Sequence, residues 1–184
     1  MSKLNFSLTN YLMMIKKDKY KISFLLHIAP PIHGSSLVGR TIWKSNIINT
    51  NFDCQYINLL ASQKLNNSGK FDIRKLVHYS LTCLRLIGIL IKNEPQLVYF
   101  ALSTTGIAFF KDVFLIILLK IFNVRIVFHL HNKGVSLKQN NFIYRRFYQF
   151  VFKDADVILL SKLLYPDIQQ FVSEKKVHIC PNGI

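Results

Sequence analysis

The chain has 184 residues, 51% of them hydrophobic, which suffices for one domain with a full core, is too short for two of ordinary size and excludes disorder. Its 24 Lys and Arg against 9 Asp and Glu give a formal charge of +15, which favours anionic partners: nucleic acid, phosphorylated sugars or an acidic membrane face. Cys54, Cys83 and Cys180 lie far apart without CxxC spacing, which argues against a disulfide framework and a zinc site and fits a reducing cytoplasm.

Residues 1–19 read as an N-terminal extension, a basic amphipathic arm. Its apolar run Tyr11–Ile15 is too short for a secretory signal and is followed at once by Lys16, Lys17 and Lys19. Apolar bursts then alternate with helical patterns. Strands are expected at Lys21–Ile28, Cys54–Leu59, Gln96–Leu102, Arg125–Leu130, Val157–Leu160 and Val177–Cys180, several apolar throughout, as in a parallel sheet covered on both faces. Asp72 can cap a helix running to about Lys92, with Ile73, Leu76, Val77, Leu81, Leu84, Ile87 and Ile91 as its apolar stripe and Arg74, His78, Arg85 and Lys92 opposite. Ile107 to Phe122 is apolar nearly all round and is expected to be deeply buried. Its longest uninterrupted apolar run, Val113–Leu119, is too brief to span a bilayer. A further helix starts at Asn140 or Asn141 and continues through Phe152, and a short one starts near Tyr165-Pro166-Asp167. This alternation predicts an α/β fold, a doubly wound Rossmann-like parallel sheet formed by residues 20–184 as one domain.

Ligands of such sheets bind beyond the carboxyl ends of the strands. The loops there are Ala29-Pro30-Pro31-Ile32-His33-Gly34-Ser35-Ser36, Ser103-Thr104-Thr105-Gly106, the run from His129 and His131 through Asn132, Lys133 and Gly134, and Ser161. Small, polar and imidazole residues gather at this rim. The first turn lacks GxGxxG, the second strand ends at Asn58-Leu59-Leu60 without a ribose-binding acid, and no GxxxxGK[ST] loop occurs, so a dehydrogenase or ATPase is not indicated. No helix-turn-helix, zinc-finger or RNA-recognition sequence accompanies the positive charge, so nucleic acid is not the expected partner.

Four segments in order carry more: PPIHGSSLV at the first turn, RIVFHLHNKG, DADVILLS and the final CPNGI. Together they make the chain resemble, over Lys21 to Ile184, the N-terminal domain of the family 4 glycosyltransferases, retaining sugar-nucleotide enzymes of the GT-B fold. The resemblance implies an acceptor-side domain of an enzyme moving a sugar from a nucleotide-sugar donor to a glycan or lipid-linked acceptor, as in surface polysaccharide biosynthesis. The nucleotide sugar is then a substrate, and neither a cofactor nor a metal is implied. It also implies that most donor contacts belong to a C-terminal donor-binding domain or a partner chain beyond the terminal Pro-Asn-Gly turn, and that this chain alone is inactive. Location in the cytoplasm, peripheral on the inner face of the membrane, is expected. His33-Gly34 stands where the family commonly has Gly-Gly.

His131 matches the family's strand-terminal histidine and is the catalytic candidate, through polar contact with the sugar or reacting phosphate. A loop-stabilising hydrogen bond is the alternative. His129, two residues earlier on the same sheet face, is expected to be structural. His33, Gly34, Ser35 and Ser36 are substrate-binding candidates as a helix-start anion site, or else form only a tight turn. Ser103, Thr104, Asn132, Lys133, Gly134 and Ser161 complete the candidate lining, with capping as the alternative for Ser161. Basic residues Lys16, Lys17, Lys19, Arg74, Arg85, Arg145 and Arg146, with interleaved Tyr144, Phe147 and Tyr148, suggest contact with an anionic membrane. A non-catalytic binding or scaffolding module and a basic nucleic-acid-binding α/β domain are the competing classes.

Overall fold

A computed structural model describes residues 19–30, 32–60 and 73–181. The N-terminal arm through Asp18, Pro31 of the first loop, the expected helix cap Asp72 and the final Asn182, Gly183 and Ile184 lie outside the described residues. Six strands, β1 (Lys21–Leu26), β2 (Asp53–Asn58), β3 (Leu97–Leu102), β4 (Arg125–Leu130), β5 (Asp156–Leu159) and β6 (Val177–Ile179), form one sheet in the order β2-β1-β3-β4-β5-β6. Every neighbouring pair is parallel. The sheet grows to one side from β1 to β2 and then reverses through β3, so a topological switch point falls between β1 and β3.

Helices α1 (Gly34–Lys44) and α2 (Asn46–Asn51) connect β1 to β2 and pack Ile42 and Ile48 on one sheet face, against Ile22, Phe24 and Leu26. Right-handed crossovers in the opposite direction must lie on the other face. There α3 (Ile73–Lys92), α4 (Gly106–Ile121) and α6 (Phe142–Phe152) bury the main core with Leu25, Val98, Phe100, Phe128 and Val157. A four-residue helix, α5 (Val135–Lys138), and a 3-10 turn at Lys162–Asp167 complete the loops after β4 and β5. Asn141 caps α6 by accepting from Ile143 and Tyr144 N–H groups, as the sequence suggested. Pro166 sits inside the 3-10 turn instead of opening a helix.

Two helices depart from the sequence reading. The stripe Leu76, Val77, Leu81, Leu84 and Ile91 of α3 points to solvent, while Leu86, Ile89 and Leu90 enter the core with Tyr79 and Cys83 against them. Both sides of α3 are apolar, so periodicity alone could not choose which one meets the sheet. Helix α4 buries Phe109, Val113, Ile116 and Leu119 but exposes Ile107, Phe114 and Ile121, so it is a half-buried helix and not a deeply buried one.

Candidate functional site

All strands being parallel, the loops after β1, β3, β4 and β5 share one edge of the sheet, which brings His33, Gly34, Ser103, His131 and Ser161 to the same rim. The β1 loop is pinned there by Asn58 at the end of β2. Its side-chain oxygen accepts from Ile28 N–H at 3.1 Å and its amide donates to the Ile28 carbonyl at 3.4 Å. Helix α1 then approaches the strand end so closely that a Cβ on Gly39 would stand 2.0 Å from the His27 carbonyl oxygen. Only glycine permits that contact.

Four imidazoles occupy the rim. His33 is the N-cap of α1, its Nδ1 accepting from Ser36 N–H at 3.4 Å, while the Ser36 hydroxyl accepts from His33 N–H at 2.9 Å. Because His33 Nδ1 is an acceptor there, the Ser35 hydroxyl 3.0 Å away donates to it. His27 Nδ1, at 3.4 Å from the same oxygen, then carries the proton and donates to Ser35. This order leaves His27 Nε2 as an acceptor and His33 Nε2–H as a donor when both rings are neutral. Burial, with His33 and His131 nearby, holds the His27 imidazole down at about 4.

Across the switch point, the His129 and His131 rings lie 4.1 Å apart. His129 is buried in the sheet face and pairs its Nδ1 with the Tyr99 hydroxyl, the structural placement expected for it. His131 is half-buried at the mouth. Burial lowers both imidazoles to about 4, and His131 feels His129 and His33 in addition. His129 Nε2 and His131 Nδ1 are buried atoms without a hydrogen-bond partner among the described residues. His27, His129 and His131 are therefore uncharged at neutral pH. These three rings offer neutral donors and acceptors where cationic rings would have offered charge.

The remaining candidates divide by exposure. Ser36 and Thr104 are fully buried: Ser36 completes the α1 cap, and Thr104 directs its hydroxyl toward the Lys133 carbonyl while its own carbonyl accepts from Tyr148. Neither faces the rim. Gly34, Ser35, Asn132 and Lys133 are open or half-open. The Ser103 amide donates to Asp112, a carboxyl that burial raises to about 7. Ser161 caps the 3-10 turn by accepting from Leu163 N–H at 3.3 Å, the capping alternative.

Gly134 is a hinge of the β4 loop, with φ of 153° and space for no Cβ, which would stand 2.7 Å from Thr105 Cγ2. The loop it begins is fixed by Asp167. That buried carboxylate accepts from Gly134 N–H at 3.0 Å, Val135 N–H at 3.2 Å, Ser136 N–H at 3.1 Å and the Ser136 hydroxyl at 2.6 Å. Asp167, Gly39 and His27 were missed by the sequence reading. His27 was legible as a polar residue closing an apolar strand, whereas the other two act through contacts between distant segments. No group of three or more His, Cys, Asp and Glu among the described residues has metal-binding geometry. Comparison with family models and with curated proteins finds no match to this chain.

Proposed function

We propose that this rim is the acceptor side of a retaining glycosyltransferase site, with His131 meeting the transferred sugar and the His27–Ser35–His33 chain meeting hydroxyls of a glycan or lipid-linked acceptor. The observation that carries this reading is the gathering of four imidazoles and a serine at the carboxyl edge, beside the switch point between β1 and β3. Sugar hydroxyls each donate and accept, so they are best matched by uncharged groups with both capacities in fixed order. A phosphate would instead call for cations. Lys133 is exposed beside His131 and is positioned to supply one.

In this reading the donor's leaving diphosphate is stabilised mainly by a second domain of the GT-B kind closing over the rim, in keeping with the resemblance carried by PPIHGSSLV, RIVFHLHNKG and DADVILLS. His131 contributes a hydrogen bond to the sugar or the reacting phosphate that strengthens as charge develops. The test is release of nucleoside diphosphate from a panel of nucleotide sugars, with and without a C-terminal half added in trans. Turnover is expected only with both halves, and His131→Ala is expected to lower it by roughly 100-fold. An unchanged rate in His131→Ala, or no turnover with any donor and any second half, removes the reading. Tight, steeply salt-dependent binding of arbitrary duplex would place the chain among nucleic-acid-binding domains.

A further inference from the structure

Helices α3 and α4 lie side by side on the main-core face, tied by the Tyr79 hydroxyl donating to the Lys111 carbonyl at 2.8 Å. Each buries one side and leaves a second apolar row in solvent. On α3 the row is Val77, Leu81, Leu84 and Ile91, at 53%, 59%, 64% and 60% exposure. Their spacing places them on one face of the helix. On α4 it is Ile107, Phe114 and Ile121, at 72%, 62% and 71%. Each row is about 21 Å long at the helical rise.

Single exposed apolar side chains are ordinary, but two aligned rows on touching helices form a contiguous patch of the kind that marks an interaction surface. Its charges point to the partner. The exposed ionic residues of these two helices, Arg85, Lys92 and Lys111, are all cationic, and their one described acid, Asp112, is buried. A second copy would set this all-positive patch against its own like on a chain of +15. An anionic leaflet presents the opposite charge together with an apolar boundary at matching depth. No helix among the described residues is long and apolar enough to cross a membrane, so contact of this kind lies in the interface plane.

We propose that the outer face of α3 and α4 docks on an anionic lipid bilayer, with the two apolar rows entering the headgroup–acyl boundary and Arg85, Lys92 and Lys111 at the level of the lipid phosphates. The surface differs from the one expected from sequence. Tyr148 is fully buried, Phe147 packs on Phe110, and the Tyr144 hydroxyl accepts from Gly106 N–H, so these three aromatics turn inward, while Phe142 and Phe150 of the same helix stay exposed with Arg145 and Arg146. Nor does it rest on the sugar-transfer reading, since none of its residues belongs to the rim.

The test is sedimentation of the full chain with vesicles of phosphatidylcholine alone and with vesicles containing about one-third phosphatidylglycerol, at low and higher salt. Binding is expected to the anionic vesicles and to weaken with salt. The double variant Leu81→Glu/Leu84→Glu is expected to lower partitioning at least about tenfold. Arg85→Gln and Lys111→Gln are each expected to lower it roughly fivefold. Leu163→Glu, at a side chain 83% exposed outside the patch, serves as the neutral control. Circular dichroism melting confirms that each variant is folded, since all these side chains stand in solvent. Equal partitioning to both vesicle types, or partitioning indifferent to Leu81→Glu/Leu84→Glu, overturns the proposal. A concentration-dependent dimer in sedimentation velocity that the double variant abolishes, without vesicle binding, assigns the face to a second copy and overturns it equally.

Discussion

Replacing Asp167 by Ala tests whether the loop that presents His131 is held by one carboxylate. Four donors converge on it, three of them backbone N–H groups of Gly134, Val135 and Ser136, and the first two residues are buried. A hydrogen bond to a carboxylate contributes about 1.5–3 kcal/mol, and truncation also strands buried donors without water. Because the four bonds share one acceptor they do not add, and a total near 3–5 kcal/mol follows. Against an ordinary stability of about 5–15 kcal/mol, that is a large fraction. Urea unfolding followed by the fluorescence of Trp43, the single tryptophan, reads it directly. Ser136→Ala removes only the hydroxyl bond and is expected to cost about 1 kcal/mol. Asp167→Asn keeps the volume but turns an amide toward donors, and falls between the two. An Asp167→Ala loss within about 1 kcal/mol of wild type would refute the argument. Imidazole NMR adds a local readout, because the His131 resonances are expected to broaden or shift in Asp167→Ala while those of His27 stay in place.

Gly39→Ala, whose Cβ would meet a backbone oxygen at 2.0 Å, is expected to lose about 2–3 kcal/mol, whereas Gly34→Ala, with nothing within 4 Å, is expected to gain a few tenths or more; denaturation midpoints in the reverse order would sink this account. His27, His129 and His131 resist protonation in the folded chain down to about 4, while unfolded imidazoles take protons near 6.5. Stability is therefore full above about 6.5 and falls as pH drops toward 4, by about 1–2 kcal/mol per imidazole after solvent screening; a flat profile over that range in melting curves is the contrary result. Asp112 has the opposite sign: its carboxyl is raised to about 7, so ionisation between about pH 4 and 7 costs stability, and Asp112→Asn, which still accepts from the Ser103 amide, is expected to be the more stable protein at pH 8. A less stable Asp112→Asn at that pH counts against the burial argument.

The placement of β1, β3, β4 and β5 was legible because each is an apolar burst bounded by polar turns, and a burst covered on both faces needs no partner information to be recognised; the edge strands β2 and β6 are more polar and more exposed. The rim followed from that alone, since parallel strands put their carboxyl ends on one edge. What the sequence could not supply was any decision between two apolar sides. Helix α3 carries Leu86 and Leu90 on one side and Leu81 and Leu84 on the other, and only the sheet's own shape selects the first pair. Ser36 and Thr104 illustrate the same limit for polar residues. Their hydroxyls look available in a rim loop, but the capping geometry of α1 and the close seat of the β4 loop consume them. Asp167 carried no local signal, because its four partners lie more than thirty residues earlier in the chain.

The rim and the apolar rows are connected by construction. Helices of a parallel sheet run back against their strands, so α4 starts at the rim, with Thr105 as its N-cap, and its exposed row begins two residues later at Ile107. The β4 loop touches the same point, Gly134 seating against Thr104 and Thr105. A chain lying on a bilayer through α3 and α4 therefore holds its strands along the membrane plane and opens its rim sideways, while Ser35 and His33 belong to α1 on the sheet face away from the lipid. A lipid-linked acceptor would meet the His27–Ser35–His33 chain through sugars standing out beyond the headgroups, with its lipid left in the leaflet. The two proposals remain separable, since His131→Ala is expected to leave vesicle partitioning unchanged. Leu81→Glu/Leu84→Glu, conversely, is expected to spare a water-soluble acceptor and to weaken only a lipid-linked one presented in vesicles. Equal loss on both acceptors would mean that the α3–α4 face supports the rim structurally, and the geometric link to the bilayer would fall.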